Sequence, residues 1–131
     1  QTLYTFSSEG SYGHFFNQPS NIDFKEQFVV IETDHLRNHP GLLSVVIQML
    51  ILQINQLMAK GDRKVPFSTF IDEAGKLVTG NLSAFVSEAA RSIRKYGGSL
   101  ILATQHMTDY FQADKPGLTA AFNCSAWKCI V

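Results

Sequence analysis

The chain opens on a polar stretch punctuated by glycine, asparagine and proline. Ser7-Ser8-Glu9-Gly10-Ser11-Tyr12-Gly13 is followed by Asn17-Gln18-Pro19-Ser20-Asn21. That composition predicts a loop-rich lead-in over residues 1–26, with Phe15 and Phe16 docking it on the body. Gln27-Phe28-Val29-Val30-Ile31-Glu32 is a continuous run of aromatic and β-branched residues, the pattern of a buried strand. Pro40-Gly41 then opens the longest element, which runs through Leu42 to Ala59. Its length invites a membrane-spanning reading. Gln48, Gln53, Asn55 and Gln56 would all have to enter lipid, however, and no basic flank anchors its start. The pattern instead predicts a helix buried on most of its surface, with Ser44, Gln48 and Asn55 on one narrow polar stripe.

Lys60-Gly61-Asp62-Arg63-Lys64 is a charged turn, and Val65–Ile71 reads as a second strand that ends at Asp72-Glu73. From Asn81, a candidate cap, to Lys95 the apolar residues are Leu82, Phe85, Val86, Ala89, Ala90 and Ile93, the spacing of one helical face. Gly97-Gly98 stops this helix. Ser99–Thr104 reads as a third strand, ending at Gln105. Short helices are expected around Met107–Phe111 and Leu118–Phe122, and Trp127–Val131 reads as a fourth strand. Apolar strands alternating with helices predict an α/β fold: a mostly parallel sheet with helices on both faces.

Composition adds few restrictions. The 131 residues are 45% hydrophobic, which excludes disorder, and 17% charged, a low value that suggests surface covered by other protein. Lysine plus arginine and aspartate plus glutamate number 11 each, which argues against a domain built to neutralise a nucleic-acid backbone. Cys124 and Cys129 match no metal-ligand spacing, and Cys129 is expected as a buried free thiol. His14, His35, His39 and His106 also lack a ligand spacing and are expected on loops or at the surface. Both ends of the chain read as cut, so residues 1–131 are expected to form a single partial domain.

Parallel α/β sheets bind ligands beyond the carboxyl ends of their strands. The residues there are Glu32, Asp72-Glu73 and Thr104-Gln105. An aspartate in this position can hold Mg²⁺ through water. A following glutamate can polarise the water that attacks a γ-phosphate. Gln105 offers both a donor and an acceptor, so it can touch a phosphate and that water together. Arg91, Arg94 and Lys95 share a face by their spacing, and an arginine there can stabilise phosphoryl transfer across a subunit boundary.

Three strings make the pattern specific: Ile71-Asp72-Glu73-Ala74, Ala90-Arg91-Ser92-Ile93-Arg94-Lys95-Tyr96-Gly97-Gly98, and Ala103-Thr104-Gln105. Together with Phe28–Glu32, the Pro40–Met58 helix and Phe16–Asp23, they resemble the C-terminal ATPase domain of conjugative-transfer ATPases. These are the VirB4-like proteins of type IV secretion systems, and the F-like branch is the most similar. The resemblance covers essentially the whole chain. It implies a partial RecA-like P-loop ATPase domain, running from Walker B to the sensor region, that uses ATP and Mg²⁺. The parent protein would be a ring or dimer at the cytoplasmic face of the bacterial inner membrane, beside other secretion components. It would power pilus assembly and substrate transfer. Asp72 would hold Mg²⁺, Glu73 would activate water, Thr104 and Gln105 would sense nucleotide, and Arg91 or Arg94 would serve as the finger.

Two departures stand out. Gly75 occupies a position where the family usually carries a large aromatic residue. No Gly-x-x-x-x-Gly-Lys-[Ser/Thr] run occurs in the 131 residues, so the Walker A strand and loop are expected to be missing and this stretch alone to be inactive. Two other readings stay open: a non-catalytic assembly domain of the same machinery, and a DNA-pumping, coupling-type ATPase that contacts DNA directly.

Overall fold

The computed structural model describes residues 4–19, 26–60 and 64–130. It comprises two compact units, Gln1–Val45 and Val46–Val131. The expected motif residues at 20–23 and the middle of the charged turn at 61–63 lie outside the described residues.

In the first unit a 3-10 helix, Tyr4–Phe6, precedes the short helix α1, Gly13–Phe16, and a second 3-10 turn covers Asp34–Leu36. Its packing is aromatic. Phe6 meets Tyr12 and Phe16 with ring centroids 5.6 and 5.4 Å apart, and the Tyr12 hydroxyl lies 3.3 Å from His39 Nδ1. The expected strand at 27–32 is irregular backbone, and Phe28 is 84% exposed. An apolar run becomes a strand only when a neighbour satisfies its N–H and C=O groups, and no such neighbour stands there among the described residues.

The second unit holds the catalytic candidates. The long helix α2, Pro40–Lys60, begins in the first unit and ends in this one. Strand β1, Phe67–Ile71, is followed by the short helix α3, Ala74–Leu77, and by α4, Gly80–Ser92. A 3-10 turn, Ile93–Tyr96, leads into β2, Gly98–Leu102. A further 3-10 helix, Met107–Phe111, and α5, Pro116–Cys124, follow. Strands β1 and β2 pair in parallel, in register from Phe67 opposite Gly98 to Ile71 opposite Leu102. The α4 periodicity is realised: Leu82, Phe85, Val86 and Ala89 are buried with Ile51, Ala74, Val78 and Leu118. Each large apolar side chain buried in this way contributes about 1.5–3 kcal/mol.

Several expectations are corrected. Among the described residues the sheet is covered on one face only. Phe67, Thr69, Ile71, Leu100 and Leu102 are half-buried, while Ser68, Phe70, Ser99 and Ile101 face solvent. On that outer face the Ser68 and Ser99 hydroxyls hydrogen-bond to each other at 2.7 Å. Helix α2 is not buried on most of its surface. Ile51 enters the core, with Ile47 and Ile54 against it, but Met49, Leu52 and Leu57 are exposed. Among the described residues α2 is the one helix long and apolar enough to cross a membrane by length and composition, and 11% of that window is buried. Asn81 does not cap α4. The helix starts one residue earlier, at Gly80, and the Asn81 amide donates to Gln48 Oε1 at 3.0 Å. Residues 126–130 form no strand, and Cys129, like Cys124, is exposed.

Candidate functional site

The parallel ladder continues past both strands. Ala103 N–H donates to the Ile71 carbonyl at 3.0 Å, and Ala74 N–H donates back to the Ala103 carbonyl at 2.8 Å. These two bonds set the turn after β1 beside the turn after β2. Gln105 Nε2 then donates to Glu73 Oε1 at 3.2 Å. Lys76 Nζ reaches the same oxygen at 2.9 Å, from one turn along α3. Both partners of that ion pair are partly exposed, so it contributes only about 0–1 kcal/mol and its effect is to orient the carboxylate.

Glu73 takes φ 48° and ψ 38°, a left-handed backbone that is unusual for a residue with a side chain. Such a conformation costs about 1–3 kcal/mol and persists where the surroundings over-determine it. Asp72 precedes it as an exposed carboxylate, with Oδ1 accepting the Glu73 amide at 2.8 Å. Behind Gln105, the Thr104 hydroxyl donates to Asp109 Oδ2, and Gln112 Nε2 donates to Asp109 Oδ1 at 3.3 Å. Lys115 Nζ donates to the Gly75 carbonyl at 2.6 Å.

These groups line a cavity of about 390 Å³ formed by Glu73, Gly75, Lys76, Thr79, Thr104, Gln105, His106, Asp109 and Lys115. Its lining carries two lysines, the Glu73 and Asp109 carboxylates, two hydroxyls, an amide and an imidazole, with Lys115 committed to the Gly75 carbonyl. Lys76 can meet an anionic ligand, and Glu73 can take up a proton. Nearby, the Tyr110 phenol is pushed above its usual value, first by burial and second by the adjacent Asp109 charge.

The structure thus brings Glu73, Thr104 and Gln105 together, with Asp72 joined to Glu73 through its amide. It does not bring Arg91 and Arg94 to them. Both arginines are exposed, and they lie before β2, at its amino end, whereas Gln105 lies beyond its carboxyl end. The strand's five residues at about 3.3 Å each separate the two ends. Sequence reasoning missed Lys76, Asp109 and Lys115. Lys76 was detectable as the residue three places after Glu73 in a turn. Asp109 and Lys115 reach the site only through tertiary packing, and nothing local marks them.

The TraG P-loop domain family model matches residues 1–121. Protein TraC of Escherichia coli (strain K12) is 31% identical over 133 residues, a similarity that takes in 96% of this chain and 15% of TraC. The chain therefore spans about 15% of the length of that curated relative. No solved structure matches. On the family match over nearly all its length, and on the 31% identity to TraC, the chain belongs to the TraG P-loop domain family, among the conjugative-transfer ATPase-like proteins.

Proposed function

We propose that these residues form the water-activating side of an ATP-hydrolysing centre in a RecA-like motor of a type IV secretion system. The observation that carries this reading is the contact of Gln105 with Glu73 at the carboxyl ends of two adjacent parallel strands. Glu73 is the carboxylate that takes the proton of the attacking water, and Gln105 fixes its direction. Lys76 and Gln105 meet the same oxygen, Oε1, and together orient the carboxylate toward the water.

The donors present fit a hydrated Mg²⁺. Asp72 is an exposed carboxylate, and this ion is commonly held by one or two carboxylates together with water and phosphate oxygens. When bound, Mg²⁺ and the triphosphate supply charge neutralisation and the electrophile. No Gly-x-x-x-x-Gly-Lys-[Ser/Thr] run occurs in these 131 residues, so the reading concerns the water-activating side alone.

The parent protein assembles as a ring or dimer, peripheral at the cytoplasmic face of the inner membrane with other secretion components. The exposed arginines at the far end of β2 support that arrangement, because they suit a neighbour's site better than their own. Steady-state ATP turnover by the intact protein tests the reading. Glu73→Gln should abolish turnover and leave nucleotide binding largely intact. Activity within a few-fold of wild type would remove Glu73 as the base.

A further inference from the structure

Two side chains outside the strand-end motifs hold the two turns of the site. Asp109 lies in the 3-10 helix Met107–Phe111 and accepts the hydroxyl of Thr104, the residue before Gln105. The same carboxylate lies against Gly75, two residues after Glu73. Lys115, at the start of α5, donates to the Gly75 carbonyl at 2.6 Å from forty residues away. That bond carries a full charge on its donor, which makes it stronger than a neutral one. Asp109 is itself steadied by Gln112 at 3.3 Å. The left-handed backbone of Glu73 therefore stands beside a turn whose Gly75 carbonyl is held by Lys115 and whose backbone lies against the Asp109 carboxylate.

We infer that Asp109 and Lys115 are positioning residues that brace the Glu73 turn against the Gln105 turn. The inference rests on the reading of Glu73 as the water-activating carboxylate. The brace links that geometry to α5, whose Leu118 is fully buried in the core. Lys115 holds the turn through a backbone carbonyl, so its removal should let Glu73 drift without removing any group that acts on water. Displacements of about 1 Å at a reacting centre can cost on the order of 10²-fold in rate.

The test uses the intact protein and measures ATP turnover, affinity for a non-hydrolysable Mg-ATP analogue, and melting temperature. The variants are Lys115→Met, Lys115→Arg and Asp109→Asn, with Glu73→Gln as reference. Lys115→Met and Asp109→Asn should lower kcat by roughly 10–100-fold. Affinity should stay within about twofold. Lys115→Arg should restore most of the turnover at an unchanged melting temperature. If Lys115→Met instead loses affinity in proportion to turnover, the lysine is a phosphate ligand and the brace is wrong. Unchanged kcat in both variants, or a melting-temperature drop that Lys115→Arg does not reverse, also overturns it. Amide exchange at Ala74, whose N–H donates to the Ala103 carbonyl, reads the brace without turnover. Lys115→Met should speed that exchange, and unchanged protection would sink the brace even where Glu73→Gln is inactive. Wild-type turnover by Glu73→Gln would instead remove the reading of Glu73 on which the brace depends.

Discussion

The Asp109 carboxylate occupies the space that a side chain at Gly75 would need: a β-carbon built there comes within 2.0 Å of Asp109 Oδ2 and 2.7 Å of Thr104 Oγ1. Neither atom belongs to a long side chain that can swing away. Gly75→Ala should therefore separate Asp109 from Thr104 and destabilise the protein by about 1–3 kcal/mol, the usual cost of overpacking. Urea denaturation compared with wild type checks this. A midpoint equal to wild type would mean that the pair relaxes without cost.

Arg91 and Arg94 are both exposed, so ordinary solvated arginines there would become alanine at a stability cost within about 0.5 kcal/mol. A finger acting on a neighbouring subunit is different, because its loss lowers turnover by about 10³-fold or more. At least one of Arg91→Ala and Arg94→Ala should lower turnover steeply at an unchanged melting temperature. Mixing that variant with Glu73→Gln, each inactive alone, should return activity, since some mixed sites pair an intact Glu73 with an intact neighbouring arginine. If both variants retain wild-type turnover, neither arginine is the finger.

Helices α4 and α5 meet at a glycine. Gly117 N–H donates to the Ser83 hydroxyl at 2.9 Å, and Ser83 is 3% exposed. Ser83→Ala would strand that buried amide, at a cost of about 1–3 kcal/mol. Gly117→Ala would place its β-carbon 2.2 Å from the Ser83 carbonyl oxygen, which is backbone and cannot yield alone. Both variants should unfold at lower urea, and Gly117→Ala should lose the more. Thermal and urea midpoints for the two side by side decide the order.

Tyr110 gives the fold a pH dependence in the alkaline range. Its phenol is raised above 10.0 in the folded protein, by burial and then by Asp109. As pH climbs past the ordinary phenol value, the unfolded chain releases this proton before the folded one does. The unfolded state then binds fewer protons, so stability falls with rising pH until the folded phenol ionises as well. Tyr110→Phe should flatten that part of the decline. Urea midpoints measured on both proteins across the alkaline range check it, and parallel curves would remove Tyr110 as the source.

What could be read in advance was what is local. The Leu82–Ala89 stripe specified α4 by its period, and the apolar runs ending in Asp72-Glu73 and Thr104-Gln105 located the paired strands and their ligand-facing ends. The run Phe28–Ile31 has the same composition as a strand and is not one, because strand formation needs a partner that composition does not reveal. Helix α2 was misjudged for a related reason. Its apolar residues spread around the helix, but in the second unit only the line of Ile47, Ile51 and Ile54 packs on the core. The site divides in the same way. Glu73 and Gln105 were legible from strand ends, whereas Lys115 reaches Gly75 across forty residues by tertiary packing alone.

The parallel pairing of β1 and β2 also governs how the molecule comes to be folded. Ser68 and Ser99 face each other across the ladder although they stand 31 residues apart in the chain. A hairpin cannot join parallel strands, so every rung waits for the intervening crossover to close, and the entropy of that closure is spent before the first rung returns anything. Helix α4 lies within the crossover, and its buried stripe is what can hold the loop shut. The Glu73–Gln105 contact therefore arises only in molecules whose crossover has already docked. Substitutions in α4 that never touch the cavity would act on how fast, and in what fraction of chains, that contact is made.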